Sequence, residues 1–274
     1  MRFLTKPVAT YDLRVGNDFG RLRGQIQKGD VLLVEGDERV SAVIKYLTQS
    51  SWSHAAIYVG DELVRRGGEL SEVALEHFGE DARHVLVEAI LEGGVVASPI
   101  SKYAHLNVRL CRPHRLRKED LRSILDEAVG SIGWPYDQRN IIDLAFHLLR
   151  VSMLPRNRQL EAFTVGGRAS SRVICTSLLG HLFHGVDYPV LPRVVRLDTA
   201  PEEAPAPWWR RIRPSPRSPY AGVFHRRHPT LLTPRDFDLS PFFEIVKFNV
   251  IDSGGFDYRA IDWAHALEEP ESGS

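Results

Sequence analysis

The chain has 274 residues, with 35 Lys or Arg and 35 Asp or Glu, so its formal net charge is zero. Hydrophobic residues make up 43% and charged residues 26%, which is the composition of a globular protein and not of a disordered or fibrous one. The balanced charge argues against a general electrostatic attraction to nucleic acid or anionic lipid. No nucleic-acid partner is therefore predicted.

The number of cysteines and the hydropathy of the chain indicate the compartment in which the protein is expected. The two cysteines, Cys111 and Cys175, are too few for a disulfide framework, and a bridge between them is the less favoured interpretation. The N-terminal stretch lacks the apolar core of a secretory signal, and no window approaches the ~20 apolar residues of a membrane span. These features predict a soluble, cytoplasmic protein with free thiols.

The first third of the chain predicts alternating short elements. Residues 1–28 read as a polar extension, followed by a strand over 29–36, a helix over 38–49 and a strand from His54 to Val59. A glycine- and glutamate-rich piece without regular structure comes next. Further short strands at hairpin-like spacing are predicted over 84–90, 93–100 and 107–113.

The remaining chain predicts helices, a loop and one last strand. Helices are predicted over 118–131, 138–150 and 171–185, the first with one continuous apolar face. A proline- and arginine-rich loop is expected over 199–219 and a strand over 240–250. Grouped strands and grouped helices indicate an α+β fold. We assign one domain to 29–250 and a C-terminal tail to 251–274.

Three side chains carry the candidate chemistry. Cys175 lies where a serine-containing loop passes into a helix, and the positive end of a helix favours a thiolate. His54 begins a buried strand, and Glu88 lies within the apolar run "VLVEAI". A buried carboxylate requires a partner, so Glu88 either faces solvent or meets a histidine or arginine. Together the three residue types supply a nucleophile, a base and an orienting group.

Several stretches together resemble the permuted papain-fold hydrolases related to the NlpC cell-wall peptidases. They are "GDVLLVEG", "SSWSHAAIYVG", "HVLVEAI", "GWPYD", "VICTSLLGHLF" and "TPRDFDLSPFFEIVKF". The resemblance implies a circularly permuted papain-like fold, in which an antiparallel sheet packs against helices and the histidine strand precedes the cysteine helix. It further implies Cys175 as the nucleophile, His54 as its base and Glu88 as the third member.

The same resemblance implies cysteine-dependent hydrolysis of an amide bond through an acyl-enzyme, with no cofactor and no metal. Lipid acyl transfer or ester chemistry on the same triad stays open as an alternative, and so does a non-catalytic binding module. The expected substrate is a small molecule, a peptide or a lipid. Trp208 and Trp209 among the arginines of 208–217 could contact a membrane surface, although a solvated basic loop is the favoured interpretation.

Other candidate residues receive more modest interpretations. Tyr136, in "GWPYD", matches a family position near the site and is a possible substrate contact. Asp30 is interpreted as a turn or cap carboxylate at the start of a strand, and Cys111 as structural. His181 and His184 are three residues apart, but no further ligands complete a metal shell, so packing or surface roles are favoured.

Overall fold

A six-stranded sheet organises the protein. The computed structural model describes residues 18–90, 93–135, 175–195 and 223–248. The strands of this sheet are β1 (Val31–Glu35), β2 (His54–Gly60), β3 (Val85–Ile90), β4 (Gly94–Pro99), β5 (Asn107–Pro113) and β8 (Phe243–Val246). Their order is β4-β3-β2-β1-β5-β8, and every neighbouring pair is antiparallel. Strands β6 (Arg193–Val195) and β7 (Val223–His225) form a separate antiparallel pair.

Helices surround this sheet. They are α1 (Phe19–Gln25), α2 (Arg39–Thr48), α3 (Glu62–Arg66), α4 (Glu69–Phe78), α5 (Lys118–Gly130), α6 (Cys175–Gly185) and α7 (Pro234–Asp238). Short 3-10 turns cover Gly79–Arg83, Ile100–Tyr103 and Pro229–Leu231. The antiparallel sheet with packed helices confirms the predicted α+β class.

Both faces of the sheet are buried, because apolar residues occupy successive positions of its strands. Alternate residues of β1 point to opposite faces of the sheet, as the period of two in a strand requires. Val31 and Leu33 lie in one core cluster. Leu32 and Val34 lie in a second cluster on the opposite face. Helices α5 and α6 pack into the first cluster. It includes Ile124, Leu125, Leu178, Leu179, Leu182 and Phe183. The first helix, α1, contributes the fully buried Leu22 to the second cluster.

The sequence interpretation differs from the structure in several places, and β6, β7 and α7 were not predicted. Residues 61–83 are not irregular but form α3, α4 and a 3-10 turn, and Gly67 and Gly68, with φ of +72° and +74°, divide the helical pattern into short pieces. The lead-in before residue 28 contains α1, capped by the Asp18 carboxylate. Strand β5 does not extend the β3–β4 hairpin but pairs with β1, since hairpin-like spacing does not determine the partner of a later strand.

Several predicted elements lie outside the described residues. These are the helix over 138–150 with Tyr136 just before it, the loop over 199–219, and the tail over 251–274. Within the described part of the chain, no helix combines the length and apolar character needed to cross a bilayer.

Candidate active site

His54 is the first residue of β2, and its position follows from the pairing of that strand. Val34 of β1 lies opposite it, and the amide of the preceding Ser53 donates to the Val34 carbonyl at 3.0 Å. By strand alternation the ring lies on the same face as Ala56 and Tyr58. Its side chain keeps 20% exposure, so the ring lies at the margin of the core and not within it.

Glu88 lies on the adjacent strand and meets this ring. Ile57 is paired with Val87, so Ala56 falls opposite Glu88 and His54 is a same-face neighbour two residues away. The Nε2 atom of His54 lies 2.5 Å from the Glu88 carboxylate, whose side chain has no exposed surface. Of the two alternatives left open for Glu88, the structure shows the buried one, with a histidine as partner.

Two further residues hold the same carboxylate, and the sequence interpretation missed both. Lys102 Nζ donates to Oε1 of Glu88 at 2.6 Å, and the hydroxyl of Tyr103 donates to Oε2. Both residues lie on the 3-10 turn after β4. The stretch "SPISKYAHL" carries no motif that separates them from an ordinary loop, and only the β3–β4 hairpin brings that turn back to Glu88.

Cys175 is the first described residue of α6 and lies within the helix that the sequence predicts over 171–185. The helix is anchored through apolar side chains in the core, and the hydroxyl of Thr176 donates to the carbonyl of Leu232 at 2.5 Å. Gly180 permits this close approach, because a Cβ there would lie 2.7 Å from Leu232 Cδ1 and 3.1 Å from Pro229 Cα. Cys175 is 7% exposed, and its sulfur is close enough to His54 to raise the pKa of the ring. Since Glu88 engages Nε2, the ring nitrogen left for the thiol is Nδ1.

The charges at the site are mutually dependent. Burial lowers the pKa of His54, but the adjacent Cys175 and the Glu88 carboxylate favour the imidazolium and raise the pKa to about 10. Burial likewise raises the pKa of Glu88, yet the hydrogen bond and charge of His54 and the charge of Lys102 outweigh it and hold this pKa well below its usual value. The arrangement can therefore keep a proton on a ring placed between a carboxylate and a sulfur atom.

The remaining candidates lie elsewhere. Asp30 is a structural carboxylate, as predicted: it accepts from the Gln27 amide at 2.8 Å and pairs with the Arg112 guanidinium at 2.8 and 2.9 Å. Cys111 is fully buried within β5. Tyr136 lies outside the described residues. In the described ranges, no group of three or more His, Cys, Asp or Glu side chains is arranged to hold a metal ion.

Comparisons with known proteins agree with this architecture. Residues 25–143 match the model of the permuted papain-like amidase enzymes of the YaeF/YiiX, C92 family. This segment contains His54 and Glu88, and Cys175 lies beyond its end. No curated protein matches the sequence.

Among solved structures, the chain is similar to the metalloprotein yiiX from Escherichia coli O157:H7. The identity is 15%, the TM-score is 0.44, and the alignment covers 81% of this chain and 97% of that one. A TM-score of this size is too low to bear on function. The family match over residues 25–143 confirms the resemblance predicted from the sequence: the protein has a circularly permuted papain-like fold and is similar to the hydrolases of the permuted amidase family.

Proposed function

We propose that the protein is a cysteine-dependent amide hydrolase in which Cys175, His54 and Glu88 act as a triad. The observation that carries the proposal is the position of His54, whose Nε2 lies 2.5 Å from the buried Glu88 carboxylate and whose pKa is raised by the nearby Cys175. A nucleophile, a base and an orienting acid in hydrogen-bond sequence are the requirements of acyl transfer. The match to a family of amidases supports hydrolysis of an amide bond.

In the first half-reaction, the thiolate of Cys175 attacks the substrate carbonyl carbon and forms a tetrahedral intermediate. We assign the backbone amide of Cys175 as a donor to the developing oxyanion. When the carbon–nitrogen bond breaks, the His54 imidazolium gives its proton to the leaving amine. The product is an acyl-enzyme thioester.

In the second half-reaction, the neutral His54 ring takes a proton from water, and the resulting hydroxide attacks the thioester carbonyl. The carbon–sulfur bond then breaks, which releases the acid and restores the thiolate beside an imidazolium. Throughout this cycle Glu88 accepts from Nε2 of His54, so that the other ring nitrogen always faces the sulfur.

Lipid acyl transfer remains an alternative from the sequence. Its main support, the tryptophan and arginine residues of 208–217, lies outside the described residues. We favour amide hydrolysis because residues 25–143 match a family of amidases. A cytoplasmic location likewise stays a prediction of the sequence.

The test is to trap the intermediate. The full chain is incubated with an activated ester of a short peptide, and the labelled residue is identified by peptide mass spectrometry. We expect an acyl group on Cys175, labelling that is lost in His54→Ala, and competition by free peptides. An adduct displaced only by lysophospholipids favours lipid chemistry instead, and the absence of any acyl group on Cys175 contradicts the triad.

A further inference from the structure

The buried carboxylate of Glu88 is held by more than the histidine. Lys102 donates to Oε1 at 2.6 Å, and Tyr103 donates to Oε2, the oxygen that also meets His54 Nε2 at 2.5 Å. Lys102 and Tyr103 are consecutive residues of the 3-10 turn Ile100–Tyr103. One short turn therefore engages both oxygens of the carboxylate that orients His54.

This turn is itself firmly anchored. Ile100 is fully buried, and its amide donates to the carbonyl of His84 at 2.9 Å, just before β3. The carbonyl of Tyr103 accepts from the amide of Leu106 at 3.1 Å, and Tyr103 is only 7% exposed. Because backbone and ring are both fixed, the hydroxyl of Tyr103 has a defined position from which to hold one rotamer of Glu88.

The charged groups around the turn show what each donor supplies. The His54 ring lies 6.0 Å from the Tyr103 ring, and Cys175 and Glu38 add negative charge that raises the pKa of Tyr103. Burial and the Glu88 carboxylate raise the pKa of Tyr103, so its hydroxyl stays protonated and acts as a donor. Lys102 supplies positive charge on the carboxylate side, screened in part by the 39% exposure of its side chain.

We propose, building on the function proposed above, that Lys102 and Tyr103 are positioning residues of the site. Lys102 keeps Glu88 ionised by pairing with Oε1, and Tyr103 fixes the rotamer that presents Oε2 to Nε2 of His54. Both act through Glu88, which retains the proton on Nε2 and leaves Nδ1 directed at the sulfur of Cys175.

The two donors have different expected weights. Lys102→Met removes the positive charge beside Glu88 and keeps the apolar stem. The reactivity of Cys175 falls as the pH is lowered, and we expect the midpoint pH of that fall to rise by about one unit in this variant. Tyr103→Phe removes a neutral donor, so the midpoint rises by roughly half a unit. Lys102→Arg restores a cation and returns the midpoint to that of the wild type.

The first measurement is the rate of iodoacetamide alkylation at Cys175 across pH, read peptide by peptide in the full chain. Two variants remove the same groups elsewhere and serve as matched controls. Lys45→Met takes a lysine from the Glu35 carboxylate, and Tyr58→Phe takes a buried hydroxyl from His84. We expect both control profiles to coincide with the wild type. Profiles of Lys102→Met and Tyr103→Phe that also coincide with it overturn the positioning role.

A second readout is independent of thiol chemistry. NMR of isotopically labelled histidine, with His54 assigned by His54→Gln, reports how firmly each ring nitrogen holds its proton. We expect protonated Nε2 in the wild type and Lys102→Arg, and a smaller protonated fraction or faster Nε2 proton exchange in Tyr103→Phe. If wild-type Cys175 is no more reactive than Cys111, the proposed function fails, while the NMR comparison still decides whether the turn holds the Nε2 proton of His54 on Glu88. An unchanged Nε2 signal in Tyr103→Phe contradicts the positioning role on its own.

Discussion

Two sulfur atoms of this chain lie in opposite chemical surroundings. Cys111 lies within β5, between Val31 of β1 and Ile245 of β8, and has no exposed surface. Burial, with a smaller effect of the Asp238 charge, raises the pKa of its thiol to about 12, against the opposing charge of Arg109. Cys175 is also buried, at 7% exposure, but it lies in the first described turn of α6, near His54, whose pKa it helps to raise.

The difference teaches that the chemistry of a buried sulfur depends on its neighbours more than on its exposure. A sulfur inside a sheet has apolar neighbours that disfavour charge, and it behaves as a small hydrophobe. A sulfur beside an imidazolium has a charged partner that can take part in proton transfer. The predictions below test this contrast, beginning with the largest effect.

Replacing each cysteine in turn by serine is expected to give the largest difference in turnover between the two regions. Cys175→Ser removes the proposed nucleophile, so turnover of an activated peptide ester falls by on the order of 10³-fold or more. Cys111→Ser serves as the control, because that residue lies in the sheet core, and turnover per folded molecule stays within about twofold of the wild type. Equal losses in the two variants would remove the distinction between the sulfurs.

Loss of the orienting carboxylate comes next. Glu88→Gln keeps the shape of the side chain and removes its charge, so turnover falls by roughly 10²-fold because His54 loses the partner that fixes its tautomer. The matched control is Glu35→Gln, which changes another buried carboxylate paired with a lysine. Steady-state turnover of the same ester is the measurement, and a Glu88→Gln variant as active as Glu35→Gln would contradict the role of Glu88.

The free energy of unfolding should depend on pH through the ionisation of His54 and Glu88. The pKa of His54 is raised from 6.5 to about 10, so its contribution is complete below pH 6.5 and is lost as pH rises toward 10. The pKa of Glu88 is lowered from 4.5, so its contribution is present above pH 4.5 and is lost at lower pH. Both are present between these limits.

Urea unfolding of the wild type and of His54→Gln across pH measures this contribution. We expect the difference in unfolding free energy to be on the order of 2 kcal/mol between the two limits and to shrink on the alkaline side. A difference that stays constant from neutral pH to about pH 10 would show that His54 is uncharged in the folded state.

The smallest expected effect concerns the support of α6. Gly180→Ala places a Cβ against Leu232 and the backbone of Pro229, and the strain outweighs the gain in helix propensity, with a net loss of about 1 kcal/mol. The measurement is thermal unfolding, together with the alkylation rate of Cys175. Gly130→Ala at the end of α5, where a Cβ meets nothing within 4 Å, is the control. A Gly180→Ala variant as stable as this control would show that α6 does not approach Leu232 so closely.

The sequence predicted the strands of the six-stranded sheet and singled out Glu88 as a candidate, because each leaves a local signal. The apolar runs of β1 and β2 are continuous, and a glutamate such as Glu88 inside an apolar strand requires a partner. Lys102 and Tyr103 could not be predicted, because their contact with Glu88 depends on the β3–β4 hairpin and on the turn that follows it. Helix α3 was missed because five residues are too few to show a helical period.

The most direct test of the account is the alkylation rate of both cysteines in the same folded sample at neutral pH. We predict that iodoacetamide labels Cys175 on the order of 10²-fold faster than Cys111, and that His54→Ala removes most of this advantage. Equal rates in the wild type, or a fast rate at Cys175 that survives the loss of His54, would contradict the central claim that His54 activates this sulfur.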